Sequence, residues 1–241
     1  MRLITGILLF ISVAVNGQFN APLLIGKSDG IPTNGLVAYY PFNGNANDES
    51  GNGNDGTVDG ATLTTDRDGN TNSAYNFDGI NDNISISDSD ELSLSQFTIS
   101  AWVDMNNKTS FKIIGKGVDF SNGEYTFGST GNNEISIILI DSINGGFRGI
   151  KSFFSTGWLH LVATYDGTVG TNAQNGLKLY QNNILLSTTD LTSGVFQEMR
   201  NTINSVLIGL YNGIYANGKI DDVRIYNRVL TTDEITALYN E

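Results

Sequence analysis

From Leu36 onward the chain is a succession of short apolar stretches separated by clusters of Asn, Gly, Asp and Ser. Before the last dozen residues none of these stretches sustains a 3.6-residue period, so the apolar side chains are positioned for burial on strands. In FTISAWVDM, residues 97–105, Phe97, Ile99, Ala101, Val103 and Met105 fall on one face and Thr98, Ser100, Trp102 and Asp104 on the other. That alternation marks a strand with one face toward a core. The same reading applies to GLVAYYPF (35–42), AYNFDG, NISI, FKIIGKG, EYTFGS, EISIILI, WLHLVATYDG, SVLIGL and GKIDDVRIYNRVL. LKLYQNNILLSTT reads as a hairpin about Asn182-Asn183, because Asn tolerates the left-handed backbone of a tight turn. So many short strands in a chain of 241 residues predict an all-β, two-sheet antiparallel β-sandwich.

The period changes only at the C-terminus. Thr231 and Glu234 have capping-box spacing, Leu230 and Ile235 match the accompanying hydrophobic staple, and Ile235, Leu238 and Tyr239 share a face. A short C-terminal helix from Thr232 to about Asn240 is predicted, packed on the sandwich because a helix of that length is marginal alone.

At the other end, Arg2 precedes an apolar run from Leu3 to Val15 and then Val15-x-Gly17. Residues 1–17 read as a secretory signal peptide cleaved before Gln18, residues 18–34 as an N-terminal extension, and 35–241 as the domain. The apolar run is shorter than the roughly 20 residues a membrane span needs, so no membrane insertion is expected after cleavage. The expectation is a secreted or exported protein, in the periplasm, outside the cell or at its surface. Cysteine is absent and there is one His, which excludes disulfides, thiolate metal sites, a Cys nucleophile and multi-His metal centres. A formal charge of −12 argues against nucleic acid as partner, since that contact needs clustered Lys and Arg.

Of the 25 acidic residues, 11 lie between Asp48 and Glu91, where Arg67 is the only base. The loop NGNANDESGNGNDGTVDGA, residues 43–61, combines short oxygen donors with Gly, a composition suited either to a hard cation such as calcium or to a solvated loop without an ion. Asp221-Asp222 is a second acidic element.

The segments GLVAYYPFNGNANDESGNGNDGT, AYNFDGINDNISI, FTISAWV, GWLHLVATYDG with LKLYQNN, and NGKIDDVRIYNRVLTTDEITALYN, in this order, resemble the laminin-G-like jelly-roll domains of the concanavalin A-like lectin/glucanase superfamily. The resemblance implies a jelly roll of two facing sheets, with a structural calcium held by Asp48, Gly51, Asn52, Asn54 and Asp221, and with Asp222 and Asp78 as weaker candidates. It also implies that the chain is a binding module, or else a glycoside hydrolase acting on O-glycosyl bonds. The hydrolase alternative is disfavoured because no strand carries E-x-D-x-x-E or E-x-D-x-E. Asp88, Asp90 and Glu91 read as a surface turn, and His160 as a structural residue without an acidic neighbour.

The favoured function is a non-catalytic, calcium-stabilised module for carbohydrate; the alternative is a structural or adhesion domain for extracellular protein partners. An aromatic platform beside amide and hydroxyl donors would serve a sugar, which makes Trp102, Tyr211 and Tyr215 the ligand-binding candidates. Trp102 packs against a loop or the terminal helix on the competing reading, and Tyr211 and Tyr215 in GLYNGIYANG either stack on a sugar from an exposed loop or shield the sandwich end. The sequence carries no signal for oligomeric state.

Overall fold

The computed structural model describes residues 30–131, 133–141, 146–153 and 155–241. The predicted signal peptide and most of the predicted extension lie outside the described residues.

The first strands are β1 (Leu36–Tyr40), β2 (Gly56–Asp59), β3 (Thr62–Thr64), β4 (Ala74–Asp78), β5 (Asn83–Ile86) and β6 (Phe97–Met105). β7 (Lys112–Lys116), β8 (Tyr125–Ser129), β9 (Glu134–Ile140), β10 (Phe147–Phe153) and β11 (Trp158–Tyr165) form the middle of the chain. Then come β12 (Leu177–Gln181), β13 (Ile184–Leu185), β14 (Thr189–Ser193), β15 (Val206–Ile208), β16 (Leu210–Tyr211), β17 (Ile214–Tyr215), β18 (Asn217–Tyr226) and the helix α1 (Thr232–Tyr239). One sheet runs β13-β12-β11-β6-β18-β4-β3, with β1 also paired to β18; the second runs β14-β10-β9-β8-β7-β15-β5-β2. All pairings are antiparallel, and the two sheets face each other across one apolar core.

The period-2 reading of β6 holds at every core position: Phe97, Ile99, Ala101, Val103 and Met105 are buried between the sheets, opposite Leu159, Leu161, Ala163 and Tyr165 of neighbouring β11 in register. Asn182 and Asn183 both take positive φ, 49° and 65°, in the turn joining β12 to β13. Six strands were not legible, two of them the two-residue strands β16 and β17 in what reads as a loop. β2, β3 and β14 are exposed edge segments with little apolar content, and β10, FRGIKSF, lacks clean alternation.

The outer face of the first sheet is covered in part by α1. Thr231 accepts from the Glu234 amide while Glu234 accepts from the Thr231 amide, and Leu230, Ile235 and Leu238 pack on Val162, Tyr180 and Tyr226. Ile31 joins this cluster and Tyr226 Oη donates to the Pro32 carbonyl, so the end of the predicted extension is part of the packed domain.

Candidate functional site

The Asn/Gly-rich loop is built around β1, whose outer edge has no strand partner. Asp48 Oδ1 accepts from the amides of Tyr39 (2.9 Å) and Ser50 (2.8 Å), and Oδ2 accepts from Ser50 Oγ (2.9 Å) and the Asn54 amide (3.0 Å). Asn52 Nδ2 donates to the Leu36 and Val37 carbonyls, Asn54 Nδ2 donates to the Val37 carbonyl, and the Glu49 amide donates to the Tyr39 carbonyl. The loop thus satisfies, with side chains, the row of backbone groups that an edge strand leaves bare. Gly51 and Gly53 supply positive φ, 90° and 78°, which lets so short a loop fold back on the strand.

Asp221 has a different setting. It lies in β18 opposite Trp102, at a bulge that leaves Asp222 at φ 47°. Arg67 Nη1 stands 2.6 Å from Asp222 Oδ2 and 3.3 Å from Asp221 Oδ2, and Tyr39 Oη donates to Asp222 Oδ1. Burial and the neighbouring Asp222 push the Asp221 carboxyl up to about 8. The implied calcium donors therefore meet a poor fit: Asp48 spends both oxygens on four protein donors, and a guanidinium already lies against Asp221. Among the described residues, no group of three or more His, Asp or Glu is placed to hold a metal ion. Replacing Asp48 with Ala should cost about 2 to 3 kcal/mol in chemical denaturation, since it strips partners from three amides at once.

Trp102 lies on the outer face of the first sheet, but it is only 8% exposed. Tyr239 of α1 stacks on it at 5.7 Å between ring centroids and 16° between planes, Arg67 caps it at 4.5 Å, and His160 adjoins it at 5.2 Å. His160 Nε2 is 2.7 Å from Ser100 Oγ, both groups buried beneath this layer. Desolvation, with Arg224 and Arg67 nearby, lowers the His160 pKa to about 3, so the ring is neutral. The face that Trp102 shares with Ser100 is covered surface, as the competing reading had it.

The hairpin β16-β17 separates the two tyrosines. Asn212 and Gly213 form its turn, both with positive φ (54° and 68°), the chemistry of a type I′ hairpin. Tyr211 is fully buried rather than on an exposed loop; its ring meets Phe120 edge-on at 5.6 Å. Gly115 and Gly123 make room for it, because a Cβ at either position would collide with the Tyr211 side chain. Tyr215, on the other arm, is half-buried and lines an open pocket of about 240 Å³ together with Asn107, Ser110, Ile214 and Asn217.

This pocket sits where β4 and β6 end and β18 begins. Asn217 fixes it: its carbonyl accepts from the Asn106 amide (2.9 Å) and its Oδ1 from Asn106 Nδ2 (3.2 Å). Asn107 Oδ1 accepts from the amide and hydroxyl of Thr109, while its Nδ2 has no hydrogen bond among the described residues. An aromatic ring beside amide and hydroxyl groups in a concavity is the arrangement that binds a sugar through its apolar face and its hydroxyls. GLYNGIYANG marked Tyr215 in the sequence as a candidate on a loop, and the hairpin itself is seen only in the structure; Asn107 and Ser110 carried no signal, since a polar loop gives none until the fold brings it to the hairpin.

A family model described as the concanavalin A-like lectin/glucanases superfamily, of laminin-G type, matches residues 77–236. The chain belongs to that superfamily. No curated protein matches this concanavalin A-like domain in sequence. Among solved structures it is similar to the botulinum neurotoxin serotype D binding domain, with a TM-score of 0.65 and 18% identity over 86% of this chain and 52% of that one. A structure of the serotype D ligand binding domain in complex with N-acetylneuraminic acid gives 0.64 and 16%, over 86% and 51%. Domain 4 of AbnA, an extracellular arabinanase of Geobacillus stearothermophilus in complex with arabinotriose, gives 0.59 and 19%, over 85% and 98%. The domain thus spans about half the length of the neurotoxin chains and nearly all of the arabinanase module. Among the described residues no helix is long and apolar enough to cross a membrane.

Proposed function

We propose that this concanavalin A-like domain is an exported, non-catalytic carbohydrate-binding module whose ligand site is the pocket at the β16-β17 hairpin. The observation that carries the reading is the half-buried ring of Tyr215 in a concavity with Asn107, Ser110 and Asn217. Tyr215 would stack on the apolar face of a sugar, Asn107 Nδ2 would donate to a hydroxyl, and buried Tyr211 would hold the hairpin in place. Trp102 has no part in it. Two structural neighbours solved in complex with a sugar, the arabinanase domain with arabinotriose and the neurotoxin domain with N-acetylneuraminic acid, support the ligand class. The apolar run at Leu3–Val15 supports export.

In this reading Arg67, and not calcium, supplies the positive charge beside Asp221, and the edge of β1 is held by the loop's own side chains. A glycan array with the purified chain, run with calcium and again with EDTA, tests both points. The expected result is glycan binding that survives chelation and a melting temperature that does not respond to added calcium. No glycan bound would remove the carbohydrate reading. A calcium-dependent rise in melting temperature, lost in Asp48→Ala or Asp221→Ala, would restore the ion, because a ligand selective for the folded state stabilises it.

A further inference from the structure

At the opposite end of β6 a second open pocket, of about 190 Å³, lies between the segment before that strand and the loop before β15. Glu124 lines it and is 1% exposed. Its Oε1 is fully engaged: Lys116 Nζ stands 2.9 Å away, and the Thr202 amide and hydroxyl donate at 2.6 and 3.0 Å. Its Oε2 is buried and has no hydrogen-bond partner among the described residues. A buried carboxylate oxygen left without a donor costs free energy, so the geometry favours a donor arriving from the pocket.

The pocket's other walls narrow what that donor can be. Lys116, entirely buried, also contacts Asp88 Oδ1 (2.8 Å), Ser93 Oγ (3.2 Å) and the Thr202 carbonyl (3.1 Å), so the positive charge behind Glu124 is fixed. Glu198 and Arg200 also line the pocket, the Arg200 Nη1 donating to the Ser121 carbonyl; their charges offset, so with Lys116 behind Glu124 the site has no large excess of negative charge to select a cation. Asn201 Oδ1 accepts from Ser93 Oγ, while its Nδ2 carries no hydrogen bond among the described residues. Leu94, Met199 and Val169 add apolar surface. An acceptor, a donor and an apolar wall around a space of this size suit a neutral, hydroxyl-rich ligand comparable to one sugar residue.

We infer that the Glu124 pocket is a second carbohydrate subsite, in which a sugar hydroxyl donates to Glu124 Oε2 and another accepts from Asn201 Nδ2. The ligand class rests on the carbohydrate reading above; the place does not, since nothing in this pocket is shared with the hairpin site. Burial also raises the Glu124 carboxyl above its usual range, against the lowering effect of Lys116 and Thr202 on Oε1.

Amide-resolved NMR of the ¹⁵N-labelled chain separates the two sites. The probes are the methyl glycosides of arabinose, galactose and glucose, and of N-acetylneuraminic acid. At least one neutral glycoside should shift the amides of Ser93–Ser95 and Glu198–Asn201. Glu124→Gln, which places an amide where the acceptor was, should weaken that response tenfold or more. Ser95→Trp, an exposed change at the pocket mouth, should abolish it with the rest of the spectrum dispersed as in the parent, and it decides the matter if Glu124→Gln fails to fold. Tyr215→Ala should leave it intact. Silence of these amides toward every glycoside, or shifts that survive Ser95→Trp, would overturn the inference. Shifts confined to Asn107 and Gly213–Asn217 would overturn it while upholding the hairpin site, and the converse pattern would do the reverse.

Discussion

Replacing Tyr211 with Ala is expected to lower folding stability by about 3 to 5 kcal/mol, the range for deleting a large aromatic side chain from a packed core. The ring is fully buried and meets Phe120 edge-on, and Gly115 and Gly123 are the only residue type that leaves it space. Removing it opens a cavity that the paired strands β7 and β15 cannot collapse into. It also frees the hairpin from its anchor, so glycan binding at the Tyr215 pocket should fall with stability. Tyr211→Phe separates the two roles of the side chain. Its hydroxyl is buried without a hydrogen-bond partner among the described residues, so the phenylalanine variant should be within about 1 kcal/mol of the parent in urea denaturation. A Tyr211→Ala variant as stable as the parent would contradict the anchoring role.

Acid should weaken the fold through His160. In the unfolded chain this residue takes up a proton near pH 6.5, whereas in the folded chain burial beneath Trp102 and Tyr239, with Arg224 and Arg67 nearby, holds the proton off until about pH 3. Across that window the unfolded state binds the extra proton, so stability falls as the pH drops, by up to about 1.4 kcal/mol per unit. Glu124, Asp221 and Glu241 act in the opposite sense, because burial raises their carboxyls in the folded state. The contribution of His160 is therefore read as a difference. His160→Gln should be less stable than the parent at pH 7, yet its stability should decline less between pH 6.5 and 4, by about 1 kcal/mol per unit. Parallel pH profiles for parent and variant would show that His160 is not held neutral.

Most of the fold was legible because strands such as β6 and β11 put an apolar side chain at every second position, because others such as β9 are short apolar runs between turn residues, and because Thr231 and Glu234 announce the helix. The short edge strands β2, β3 and β14 were not, since an exposed edge has no apolar face to write into the sequence. The site was legible only in part. Tyr215 could be named from GLYNGIYANG, but that segment reads as a loop and says neither that it folds into a hairpin nor which arm turns inward, and so Tyr211 and Tyr215 looked alike. Trp102 shared a strand face with polar residues, the pattern of an exposed platform, and only the placement of Arg67 and Tyr239 shows it covered. Asp48, Asn52 and Asn54 have the composition of a cation loop, and the same oxygens and amides serve equally well to finish a strand edge; composition does not distinguish the two, whereas hydrogen-bond direction does. Glu124 gave no signal, because a single Glu at a strand entrance is unremarkable until its neighbours are known.

The central claim is that the pocket built by the β16-β17 hairpin binds carbohydrate through Tyr215. Its most direct test is a side-by-side glycan array of the parent and Tyr215→Ala, with melting temperatures measured on the same samples. The parent should bind at least one class of glycan, and Tyr215→Ala should lose tenfold or more of that binding while melting within a few degrees of the parent, since the ring is only half-buried. A parent that binds no glycan, or a Tyr215→Ala variant that binds as the parent does, would contradict it.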